Sequence, residues 1–69
     1  MNMMPVGSRN LEYVGYDERL MLLQIQFRNQ AIYEYYDVPK NIYIGLITAS
    51  SADGYFREYV KDVYRYSKI

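Results

Sequence analysis

Apolar and polar residues alternate most regularly over Leu20–Phe27, where Leu23, Ile25 and Phe27 are separated by Gln24 and Gln26. That period of two predicts a strand with one buried and one solvated face. The segment before it, Arg9–Tyr16, reads as a strand with Val14 and Tyr16 on one face and Leu11 and Tyr13 on the other. Asp17-Glu18-Arg19 joins the two as a tight polar turn. Arg28-Asn29-Gln30 makes the next turn, with Asn29 as the residue that tolerates a left-handed backbone. Ala31–Tyr36 follows as a third strand, Tyr33 and Tyr35 facing one way and Ile32, Glu34 and Tyr36 the other.

The pattern then changes from alternation to helical stripes. Val38-Pro39 suits the start of a helix, because proline is tolerated in a first turn. Ile42, Tyr43, Leu46, Ile47 and Ala49 describe one apolar stripe behind it. Gly45 lies within that helix and costs it about 1 kcal/mol relative to alanine, so its absent side chain is expected to allow a close approach to the sheet. Ser50–Gly54 interrupts the stripe and supplies helix caps, Ser50 and Ser51 above all. Phe56, Tyr59, Val60 and Val63 then recur at helical spacing, and Tyr64–Ile69 reads as a tail. Pro5 and Gly7 make residues 1–7 a flexible arm in front of a single domain over residues 8–69. The predicted class is α+β: a three-stranded antiparallel meander followed by two short helices packed on one face.

Composition narrows the chemistry. A chain of 69 residues buries only about 60% of the surface its unfolded form exposes, so a partner surface is an expected source of extra stability. Cysteine and histidine are both absent, which removes disulfides, thiolate metal sites, the usual zinc ligand and the side chain best suited to proton transfer near neutrality. No serine has a histidine or cysteine to activate it. Glu58 and Asp62 stand four apart, flanked by basic residues, and read as solvated surface rather than a cation site. The four glycines are isolated, so no phosphate loop is present. Neither an enzyme, a cofactor nor a metal is expected.

No apolar run approaches the ~20 residues that span a bilayer. Met1–Gly7 has neither the charge nor the apolar length of a secretory leader, and the absence of cysteine accords with a cytoplasmic location.

Two features remain. Tyrosine accounts for ten of the 69 residues. Tyr33, Tyr35, Tyr43 and Tyr59 fall on apolar stripes and are expected in the core, whereas Tyr13, Tyr36, Tyr55 and Tyr66 are expected to be partly exposed. Exposed tyrosine rings suit protein interfaces and base stacking. The eight basic and eight acidic residues cancel, yet residues 57–69 carry a surplus of cations. Arg57, Lys61, Arg65 and Lys68 fall on one face if the second helix continues, with Tyr64 beside them. The candidate binding surface is therefore Arg57, Lys61, Tyr64, Arg65 and Lys68 with Tyr36, Tyr55 and Tyr66.

Several short motifs occur in a fixed order. Val14-Gly15-Tyr16-Asp17 opens the series, followed by Leu23-x-Ile25-x-Phe27, Tyr33-Glu34-Tyr35 and Asp37-Val38-Pro39. Leu46 and Ala49, then Ser51 with Tyr55-Phe56, then Tyr64 complete it. On these residues the chain resembles, from about Ser8 to its end, the KTSC domain. That small family is named for its place at the C-terminus of some lysyl-tRNA synthetases, and it also occurs as stand-alone bacterial and phage proteins. The resemblance implies the same meander-plus-helices fold. Two places depart from the family pattern: Gln30 replaces a hairpin glycine, and Ser-x-Gly-x-Tyr-Phe-Asn becomes Ser51-Ala52-Asp53-Gly54-Tyr55-Phe56-Arg57.

Neutral charge, a thin core and surplus tyrosine together predict a non-catalytic binding module that acts through protein–protein contacts. A homodimer and a phage-type inhibitor of a host defence protein are both forms of that expectation. The alternative is an accessory module that binds RNA through the basic C-terminal face, as the family's link to a tRNA enzyme implies.

Overall fold

The computed structural model describes residues 1–69. The chain forms β1 (Met3–Pro5), β2 (Leu11–Asp17), β3 (Leu22–Phe27), β4 (Ile32–Tyr35), α1 (Lys40–Thr48), α2 (Ala52–Tyr59) and β5 (Tyr66–Lys68). All five strands pair antiparallel in the order β1-β2-β3-β4-β5. The α+β class holds, and the expected three-stranded meander is the centre of a wider sheet.

The core lies between one face of that sheet and the helices. Leu11, Val14, Leu23, Ile25 and Tyr35 meet Val38, Leu46, Ala52, Phe56 and Val60, all buried. Leu11 and Val14 share this face although three positions separate them. A register shift between Leu11 and Tyr13 absorbs the extra residue, so Leu11 turns inward and the expected pairing of Leu11 with Tyr13 on one face is corrected. Val38 anchors the passage into α1: its N–H donates to Met21 O at 2.9 Å, and its carbonyl accepts from the Tyr16 hydroxyl at 2.5 Å. Tyr16 in turn stacks on Tyr43, centroids 5.2 Å apart.

Both turns of the meander use left-handed residues. Asp17 caps the first by accepting the N–H groups of Arg19 and Leu20. In the second, Gln30 rather than Asn29 takes the positive φ of 76°. Asn29 instead accepts the Ala31 N–H at 3.0 Å through its side chain.

The ends of the chain differ from the sequence-based expectation. Residues 1–7 are not wholly an arm, since Met3–Pro5 pairs with β2. Pro5 does not obstruct this, because its missing N–H lies on the side away from β2. Met3 and Met1 also settle over Gly15, where a Cβ would collide with them. Helix α2 stops at Tyr59; Asp62 then takes a left-handed φ of 63°, and the expected tail becomes β5. Of the stripe Phe56, Tyr59, Val60 and Val63, only Phe56 and Val60 are buried. The close approach at Gly45 is also relocated. Its neighbour is the ring of Tyr55 on α2, not the sheet.

Candidate functional site

Helices α1 and α2 leave the β4–β5 side of the sheet uncovered, and a groove of about 640 Å³ opens there. Its floor is aromatic. Phe27 and Phe56 meet edge to face at 5.5 Å, Phe27 and Tyr33 at 5.4 Å, and Tyr35 and Phe56 at 5.8 Å. Tyr66 leans on Tyr33 and on Tyr35 with both centroid separations 5.5 Å. The register explains the cluster: Tyr66 lies opposite Tyr35 and Lys68 opposite Tyr33, so both β5 side chains point to the helix face. Burial, followed by the nearby Tyr33, Tyr66 and Asp62, pushes the Tyr35 phenol up to about 12, so it is a neutral hydroxyl near physiological pH.

The rim is mostly basic. Arg28, Arg57, Lys61 and Lys68 border the groove together with Asp53 and Asp62. Arg28 is already committed, donating from Nε to Ser8 O at 2.9 Å and pairing with Glu12 at 3.7 Å. Arg57, Lys61 and Lys68 take part in no ion pair. Asp53 is committed as well. Its carboxylate accepts from Ser8 Oγ at 2.6 Å and from the backbone and side-chain nitrogens of Asn10 at 3.1–3.2 Å. A serine held against a carboxylate suggests a nucleophile and its base. Here the carboxylate is already saturated by donors and the hydroxyl also accepts the Asp53 N–H at 3.1 Å. The pair is a clasp between the chain before β2 and the first turn of α2.

The candidate surface read from the sequence is divided by this geometry. Arg57, Lys61, Tyr66 and Lys68 come together at the groove. They do so through α2, the turn after it and β5, because the helix that would have aligned Arg65 and Lys68 with them ends at Tyr59. Tyr36, Tyr64 and Arg65 border a second, shallower depression of about 500 Å³, which also touches Tyr66. There the Arg65 guanidinium lies 5.8 Å from the Tyr36 ring centroid and 3.5 Å from Asp37. Tyr55 belongs to neither; it packs between Gly45 and Tyr59, 4.6 Å from the latter ring. Among the tyrosines expected in the core, Tyr35 is buried, Tyr33 and Tyr43 are half-buried, and Tyr59 is exposed.

Ser8, Asn10 and Asp53 were not singled out by the sequence, and neither were Phe27 and Phe56 as a floor. An acidic residue in the first turn of a helix was the available signal for Asp53. Nothing local marks Ser8 as its partner, 45 positions away. Ser51 does cap α2 as expected, accepting the Gly54 N–H at 3.2 Å.

No three histidine, cysteine, aspartate or glutamate side chains gather as a metal-holding group, and no helix is long and apolar enough to cross a membrane.

Comparison with known proteins gives a consistent assignment. A protein of Tsukamurella paurometabola is 35% identical over 63 residues, spanning 91% of this chain and 94% of its own. An uncharacterized protein of Stutzerimonas stutzeri is 31% identical over an alignment covering 100% of this chain and 99% of its own. The crystal structure of a KTSC domain protein from Yersinia pestis superposes with a TM-score of 0.95 at 32% identity, covering 99% of this chain and 96% of that one. The family model for the KTSC domain matches residues 7–66, and the chain therefore belongs to the KTSC domain family.

Proposed function

We propose that this chain is a non-catalytic cytoplasmic module that binds another protein through the aromatic groove. One observation carries the reading: Arg57, Lys61 and Lys68, all outside any ion pair, surround a floor of packed aromatic rings. Aromatic residues and arginine are the types enriched at protein interfaces, and three free cations favour an acidic partner segment. The ring geometry supports a protein over a nucleic acid. Base stacking needs open ring faces, whereas Tyr33, Tyr35, Phe27 and Phe56 are turned against one another and Tyr66 alone among them is widely exposed. A neutral net charge adds little long-range attraction for a polyanion. The absence of histidine and cysteine, and the saturation of Asp53, support a non-catalytic role. An inhibitor of a host protein, as a phage would carry, is one form such a module takes.

The test is selection of displayed random peptides on the chain, with counter-selection on the variant R57E/K61E/K68E. Enrichment of acidic peptides by the native chain alone is the expected result. No enrichment over the variant, with groove resonances moved only by single-stranded RNA, would transfer the groove to nucleic acid.

A further inference from the structure

The two edges of the sheet are not equivalent. At β1, the Val6 N–H donates to Glu12 O at 3.1 Å, and the register pairs Met4 with Val14 and Pro5 with Tyr13. Backbone groups alternate sides along a strand, so those of Met4 and Val6 face β2 and those of Met3 and Pro5 face outward. Pro5 has no N–H to offer, and this edge lacks a donor where a further strand would need one.

At β5 the outward positions are intact. The Tyr36 N–H donates to Arg65 O at 3.0 Å and the Ile69 N–H to Ile32 O at 2.8 Å. Residues 65, 67 and 69 therefore turn their backbone groups toward β4. Tyr66 and Lys68 turn theirs outward, each with a donor and an acceptor, while their side chains line the groove. Both concavities of the molecule are lined in part by this strand, and Tyr66 and Asp62 border both.

We infer that β5 is a docking edge, on which an extended acidic segment of a protein partner pairs as a sixth strand. This rests on the groove being the protein-binding surface proposed above. Alternate side chains of an added strand point to opposite faces. One set enters the groove beside Lys61 and Lys68, and the other enters the depression bordered by Tyr36, Tyr64 and Arg65. Main-chain pairing supplies affinity and the two depressions supply selectivity. Charge decides the occupant. The cations on the groove face are unpaired and call for carboxylates at alternate positions. A second copy paired β5 to β5 would bring Lys68 of each chain toward the groove of the other and add like charge to like.

The probe is a blocked heptapeptide with glutamate at odd and threonine at even positions. It is compared with two versions N-methylated at alternate amides, one in each phase. Strand addition predicts that methylation in one phase weakens binding by about tenfold or more, while the other phase changes it by less than about twofold. It also predicts slowed hydrogen exchange at the Tyr66 and Lys68 amides on binding. Binding that is lost in K61E/K68E yet indifferent to the phase of methylation, without protection at Tyr66 and Lys68, overturns strand addition and leaves the groove reading intact. A heptapeptide that does not bind overturns both.

Discussion

Ser8 and Asp53 hold each other reciprocally across 45 positions of sequence: Ser8 Oγ donates to Asp53 Oδ1 at 2.6 Å and accepts from the Asp53 N–H at 3.1 Å. Asn10 completes the arrangement with its backbone and side-chain nitrogens, leaving the buried carboxylate fully paired. The clasp fixes where the chain runs into β2 relative to the first turn of α2, and it forms one end of the groove.

Removing the carboxylate is therefore expected to be costly. D53A leaves Ser8 Oγ and the Asn10 N–H without their acceptor and should lower stability by about 2–3 kcal/mol. S8A keeps the Asn10 bonds and should cost about half as much. Urea unfolding of the two variants checks the order. A D53A midpoint equal to the native one would show that the clasp contributes nothing net.

Gly45 and Tyr55 give a prediction of opposite sign in two backgrounds. In the native chain a Cβ at position 45 overlaps the Tyr55 ring, so G45A should be destabilising by about 1 kcal/mol even after its gain in helix propensity. In a Tyr55→Ala background the obstruction is gone, and the same substitution should stabilise by about 1 kcal/mol. The double-mutant cycle measures the coupling directly. Equal effects in both backgrounds would mean that the ring simply moves aside.

Much of the fold was legible because its signals are local. The alternation of Leu23, Ile25 and Phe27 places β3 correctly, and Ser51 marks the start of α2. The errors arose where a distant element decides. Leu11 turns inward only because β3 sets a register that a bulge must absorb. Tyr66–Lys68 becomes a strand only because β4 has an open edge. The groove inherits that difficulty: Arg57, Lys61 and Lys68 were legible as a basic series, but the aromatic floor is assembled from four separate elements. Helical periodicity carried past Tyr59 put Arg65 on the wrong side.

Tyr35 makes stability sensitive to alkaline pH. Its folded-state pKa of about 12 lies above the ordinary phenol value of 10.0, with burial as the largest cause and Tyr33, Tyr66 and Asp62 adding to it. The unfolded chain releases this proton first, so the contribution is fully present below pH 10 and is lost as pH rises toward 12. Two units correspond to about 2–3 kcal/mol. Urea midpoints at rising pH should fall across that window, and Y35F should flatten the fall. An unchanged slope in Y35F would assign the effect to other phenols, such as Tyr16 and Tyr55, whose pKa values burial also raises.

The β3–β4 turn carries correctable strain. Gln30 holds a φ of 76°, a region costly for any residue with a Cβ, and its side chain offers only a 3.4 Å contact with Gln26 in return. Q30G should raise stability by about 1 kcal/mol, which for a domain of this size is about 4–8 °C in Tm. Thermal unfolding decides it; a lower Tm would show that the glycine's added freedom in the unfolded chain outweighs the relief.

Pro5 is the guard on the first edge, and replacing it should show what it prevents. P5T restores an outward N–H on β1 without altering the groups that face β2. Both edges of the sheet then offer complementary backbone groups, and β1 of one molecule can pair with β5 of another. Such a contact is head to tail and does not close, so it should generate a ladder of sizes rather than a single dimer. Sedimentation of P5T should show association at about tenfold lower concentration than the native chain. The double variant P5T/K68P removes one of the two outward donors of β5, that of Lys68, while leaving the Arg65, Ser67 and Ile69 side of the ladder with β4 untouched, and it should associate more weakly than P5T. Association of P5T that is unchanged in strength by K68P would place the new contact elsewhere than β5. A P5T chain that behaves like the native one at every concentration would show that the length of the edge, rather than its missing donor, keeps β1 from pairing.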